Sequence, residues 1–74
     1  MFTVKHVKQD GSTAVCACIS YQIFPVNDLG KRLPQLALQG ESGMADKLFL
    51  DYGEVVYVEN IKGKTIDVVR ASRE

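Results

Sequence analysis

The chain has 74 residues, room for one small domain spanning 1–74 and no second. Hydrophobic residues make up 46% and charged residues 24%, with nine basic side chains against nine acidic. That balance excludes intrinsic disorder, which needs low hydrophobicity and excess like charge, and it argues against a general nucleic-acid coat, which carries a basic surplus. No apolar run reaches the roughly 20 residues of a membrane span. The opening Met1-Phe2-Thr3-Val4-Lys5 has no basic segment leading into an apolar stretch and a small-residue cleavage site. No signal peptide is therefore expected, and a cytoplasmic location is. A chain this short buries only about 60% of the surface its unfolded form exposes, so a second copy would add burial that one domain lacks.

Valine, isoleucine, threonine and aromatic residues dominate both ends and favour a pleated surface. Pro25, Pro34 and the glycines interrupt every helical window, which limits helix to a turn or two, at 27–32 or 42–46. The first expected unit is a hairpin of residues 2–8 and 13–23 around Asp10-Gly11, a preferred two-residue type I′ turn pair. That turn pairs His6 with Val15, Val4 with Ala17 and Phe2 with Ile19. Phe2, Val4, Val15, Ala17, Ile19 and Tyr21 then form the core face. Thr3, Lys5, Val7, Ala14, Cys16 and Cys18 form the outer face.

Phe24-Pro25 ends the second strand, and Val26 to Pro34 reads as a long loop. Long irregular segments in small domains are often binding loops. The expected partner-binding residues are Asn27, Asp28, Lys31 and Arg32 as polar contacts, with Leu29 and Leu33 as exposed apolar ones. Residues 35–39 follow as a short strand, 40–43 as a turn, 47–51 as a strand and 51–53 as another turn. The last unit is a hairpin of 54–60 with 64–70, closed by the three-residue loop Ile61-Lys62-Gly63 with Gly63 left-handed. That register opposes Val58 to Ile66 and Val56 to Val68. Val55 and Val69 remain apolar on the mainly polar face, and together with Val7 they are the expected self-association residues.

Sites of chemistry are few. Cys16 and Cys18, two apart in a strand, point the same way with Cα atoms about 6.5–7 Å apart, at or beyond the limit for a disulfide. A zinc site needs about four ligands, and the lone His6 falls on the opposite face in the favoured register, so no metal is expected. The thiols read as reduced, packed and inert. His6 reads as a rim residue, because a general base needs a positioned partner and a nucleophile. Gly40-Glu41-Ser42-Gly43 lacks the lysine and spacing of a phosphate loop. From 41 to 59 Glu41, Asp46, Asp51, Glu54 and Glu59 face Lys47 alone, while Lys31, Arg32, Arg70 and Arg73 make the rest basic. The acidic run reads as a solvated face. Tyr21, Phe24, Tyr52, Tyr57, Lys31 and Arg32 are the only material for a nucleic-acid surface.

The pattern Val55-Val56-Tyr57-Val58-Glu59-Asn60-Ile61-Lys62-Gly63-Lys64-Thr65-Ile66 resembles the closing hairpin of small uncharacterised phage and prophage-type proteins. The opening Met1-Phe2-Thr3-Val4-Lys5-His6-Val7 is similar to their first strand. The resemblance implies a bacterial or mobile-element origin and carries no functional residue across.

The expected fold is all-β: a small antiparallel open barrel of five or six strands, SH3-like or OB-like, or a strongly bent sheet. The expected function is a non-enzymatic protein-interaction module that self-associates and uses no cofactor. The alternative is a nucleic-acid-binding small β-barrel, separable by the salt dependence of binding.

Overall fold

A computed structural model describes residues 1–72, which leaves Arg73 of the basic tail outside the described residues. Seven strands run in chain order: β1 Phe2–Val7, β2 Thr13–Cys18, β3 Ser20–Phe24, β4 Gln35–Gln39, β5 Ala45–Phe49, β6 Val55–Glu59 and β7 Thr65–Arg70. They form two antiparallel sheets, one ordered β2-β1-β6-β7 and the other β3-β4-β5, without closing into a barrel. The chain is all-β, and among the described residues there is no helix. Segments 27–32 and 42–46 contain tight turns instead of helical ones.

Seven strands replace the expected five or six because the segment from Thr13 to Phe24 bends. Ile19 leaves the first sheet and donates its N–H to the Gln39 carbonyl at 2.8 Å, so β2 belongs to one sheet and β3 to the other. A strand that turns a corner lets one segment serve both layers of a small core.

The first hairpin differs from the expected register by one residue. Its loop is Gln9-Asp10-Gly11: Lys8 N–H donates to Ser12 O at 2.8 Å, and Gly11 N–H to Lys8 O at 3.0 Å. A type I′ turn would require positive φ at Asp10 as well as Gly11. In the structure only Gly11 takes it, at 88°, while the Asp10 carboxylate accepts bonds from the Ser12 N–H at 2.8 Å and hydroxyl at 2.6 Å. Three loop residues move every partner by one, pairing Phe2 with Cys18, Val4 with Cys16 and His6 with Ala14. The faces therefore exchange along β2. Cys18 enters the core, and Val15, Ala17 and Ile19 are exposed.

The last hairpin has the expected Ile61-Lys62-Gly63 loop, with Asn60 N–H donating to Lys64 O and Gly63 N–H to Asn60 O, both at 2.9 Å. Beyond it a β-bulge intervenes: Glu59 opposes Thr65, but Val58 opposes Asp67, so Ile66 has no partner. The extra residue rotates the rest of β7. Val56 meets Val69 instead of Val68, which makes Val69, expected outside, a core residue at 7% exposure.

The core lies between the sheets. Val4, Val56, Val58 and Cys18 come from the larger sheet and Leu36 and Leu38 from the smaller, with Leu33, Leu50 and Ala71 closing the ends. The Phe2 and Tyr21 rings meet edge to face at 5.1 Å, one from each sheet. Leu36 is the largest fully buried side chain. Leu36→Ala should cost about 2–5 kcal/mol, read from urea denaturation, because the surrounding strands cannot collapse into the void. A loss well under 1 kcal/mol would place Leu36 outside the load of the core.

Candidate functional site

The 26–34 segment is folded rather than irregular. Asn27 N–H donates to Lys31 O and Gly30 N–H to Asn27 O, both at 3.0 Å. The buried Asn27 side chain accepts from the N–H groups of Leu29 and Lys31, each at 3.0 Å. Asn60 makes the same set of bonds in the last hairpin, accepting from Lys62 at 2.9 Å and Lys64 at 3.0 Å. The shared pattern is Asn-x-x-Gly-Lys, and its repetition at 27 and 60 was the signal that could have revealed an ordered turn.

The six expected loop residues divide accordingly. Asn27 holds the turn, and Leu33 is a core residue. Asp28 is exposed and its carboxylate lies 2.5 Å from Lys47 Nζ on β5. That contact holds its carboxyl below the usual range, with a further contribution from Gln35. Leu29, at 74% exposure, together with the exposed Lys31 and Arg32, forms the accessible part.

A second surface is the outer face of the four-stranded sheet. Residues directly opposite on neighbouring strands share a face, so the pairing lays out three rows. They are Thr13–Val7–Val55–Arg70, Val15–Lys5–Tyr57–Val68 and Ala17–Thr3–Glu59–Thr65. Val7 and Val55 are half-buried neighbours here, as expected from their outward positions; Val69 faces the other way. Val15 and Val68 stay 61% and 45% exposed. One ion pair, Lys5 Nζ to Glu59 Oε2 at 3.0 Å, crosses the middle.

The acidic stretch is no continuous stripe. Glu59 is paired with Lys5, and Glu54 is turned inward to a polar clasp. His6, expected at the rim, is buried on the same face as both cysteines, and its Nε2 lies 2.7 Å from Glu54 Oε1. Glu54 also accepts from the Asp51 N–H at 3.0 Å, while the Gln9 side chain donates to Tyr52 O at 2.7 Å. The clasp ties the first hairpin loop to the turn before β6. Burial pushes the Glu54 carboxyl up, but the Asp51 N–H, His6 and the Gln9 N–H together outweigh it, leaving it below its ordinary value. At the far end of the core, Tyr21 donates its hydroxyl to Asp67 on β7. That bond, with burial, pushes the phenol up to about 12.

Cys16 is exposed and Cys18 is buried; both are free. Burial raises both thiols, aided at Cys16 by the Asp46 carboxylate and at Cys18 by Cys16. Among the described residues no three His, Cys, Asp or Glu side chains gather as metal ligands.

Two measurements check this arrangement. Thiol labelling of the native protein should modify Cys16 first and Cys18 only at the rate of unfolding, with both slow because little thiolate is present. Equal, fast labelling would contradict the register of β2. Glu54 has a depressed folded pKa, so its contribution is present above the unfolded value and is lost as pH falls through the carboxylate range. Urea midpoints should drop on acidification, and Glu54→Gln should cost about 1–3 kcal/mol at neutral pH while flattening that drop. An unchanged acid profile in the variant would exclude the clasp as its source.

Compared with known proteins, the chain matches no family model, and no curated protein or solved structure matches it.

Proposed function

We propose that this domain is a non-enzymatic interaction module that pairs with a second copy of itself through the outer face of its four-stranded sheet. The observation that carries the reading is a group of apolar residues on the outer side of a sheet whose inner side is already core. Its inner face already supplies half the core, yet Val7, Val15, Val55, Tyr57 and Val68 line the outer one. Scattered apolar residues are ordinary, but neighbouring ones gathered on one face of a sheet indicate a contact surface.

Charge favours a second copy as the occupant. Lys5 and Glu59 lie side by side, so a two-fold axis passing midway between them sets each lysine against the other copy's glutamate. Four strands and three rows make a patch about 15–20 Å on a side, roughly 225–400 Å² per copy, which is the size of a weak contact and below that of a stable interface. Dissociation in the micromolar range is the expected result. No helix among the described residues is long and apolar enough to cross a membrane, and a cytoplasmic location suits two free thiols. The bent strand shared by two sheets supports an open barrel of SH3-like or OB-like type. The opening strand and closing hairpin support a bacterial or phage origin.

Light scattering over a dilution series tests the reading. The native chain should have a dimeric mass at tens of micromolar and fall toward monomer on dilution. Val68→Lys, placed outside the core, should yield a folded monomer; Val69→Lys would instead bury a charge and unfold the chain. A monomeric mass for the native chain across that range overturns the proposal.

A further inference from the structure

We infer that the outer face of the three-stranded sheet, with the loop after β3, binds single-stranded nucleic acid. This face is separate from the one used for self-association, so the two readings stand or fall independently. Pairing of β3, β4 and β5 again lays out three rows: Phe24–Gln35–Phe49, Gln22–Ala37–Lys47 and Ser20–Gln39–Ala45. Phe24 and Phe49 share the outer face on next-but-one strands, about 10 Å apart. They remain 40% and 44% exposed although the core is close by. Gln35 between them is buried, its Oε1 accepting from the Asp28 N–H at 2.8 Å. The aromatic pair is therefore seated on an immobile base.

On the two rows next to that of the rings lies a shallow depression of about 440 Å³ lined by Ser20, Tyr21, Gln22, Ala37, Leu38, Gln39 and Ala45. Alanine at two positions leaves space for a flat ring. Gln22 makes no side-chain hydrogen bond among the described residues, and Gln39 only accepts one, from the Ser20 hydroxyl at 3.3 Å. Both amides thus retain donors for a base edge. The charge is complementary to phosphate. Lys31 and Arg32 are exposed and make no ion pair among the described residues. The Asp28–Lys47 contact fastens their loop to this face.

Aromatic platforms with flanking cations are how sheets hold unpaired strands, since every base has a face to stack and every nucleotide a phosphate. An acidic peptide would satisfy Lys31 and Arg32 but would leave the amide-lined depression and the two rings without a role. A duplex cannot present its base faces to Phe24 and Phe49.

Fluorescence anisotropy with labelled DNA and RNA single strands of about ten nucleotides, at roughly 50 and 200 mM salt, tests the inference. Saturable binding at the lower salt is expected, weakening as salt rises. Phe24→Ala with Phe49→Ala should weaken it at least tenfold, and Arg32→Gln should reduce the salt dependence. Circular dichroism would verify that the variants fold, and the single Phe49→Ala variant serves if the double one does not. Absence of saturable binding, equal binding of a duplex or of an acidic peptide of matched charge, or indifference to the phenylalanine changes would each overturn the inference. Light scattering on the same variants should show the native mass, separating this face from the dimer surface.

Discussion

The chain can take positive φ only at glycine, and that restriction decides which side chains are inside. Among the described residues no other residue type adopts it. Each reversal at 8–12, 27–31, 40–44 and 60–64 therefore uses three residues between its end positions, with glycine last. A three-residue loop instead of two shifts a hairpin by one and exchanges its faces. The placement of Cys18 inside, and of Val15 outside, descends from the conformation of Asp10 and Gly11, whereas His6 faces inward with Val4 on β1 in either register. His6 reaches Glu54 from that inward side, where it pairs with Val56 of β6.

A second constraint is the size of the core. Seven short strands must cover it from two sides, and the bend at Ile19 lets one segment contribute to both layers. The arrangement draws the core from the inner faces and leaves two outer faces of different character. That of the larger sheet combines valines and Tyr57 with threonines, Arg70 and the Lys5–Glu59 ion pair. The smaller sheet's outer face carries two phenylalanines, amides and a fastened basic loop. The proposed interaction chemistry is assigned to those faces because the buried polar groups are engaged within the fold: Asn27 and Gln35 hold the loop, and His6 and Glu54 hold the hairpin.

The all-β class, the Gln35–Gln39 strand and the Ile61-Lys62-Gly63 loop were legible in the sequence, because alternation and turn chemistry are local signals. Asp10-Gly11 misled because the dipeptide is compatible with two loop lengths, and the choice between them rests on the Asp10 carboxylate bonding Ser12. The bulge at Ile66 has no local signature: Ile66, Val68 and Val69 are all good strand residues, and only packing against Val56 selects Val69. The ordered turn at Asn27 was readable in principle from its likeness to Asn60. Leu33 could not be placed by composition, since an apolar residue after a basic pair fits an exposed loop as well as a core. The outer faces became legible only once the register was known, as a shift of one residue interchanges candidate contact residues with core residues.

The register of the first hairpin is the point on which both the core and the proposed contact face depend. Lys8 and Ser12 form a hydrogen-bonded pair, which makes Lys5 and Val15 a non-hydrogen-bonded one with their Cα hydrogens in close approach. Solution NMR of the labelled protein measures that approach directly. A strong cross-strand contact between the Cα hydrogens of Lys5 and Val15, repeated for Thr3 and Ala17, is the predicted result. Contacts along β2 displaced by one residue, with Val15 brought opposite His6, would contradict the account.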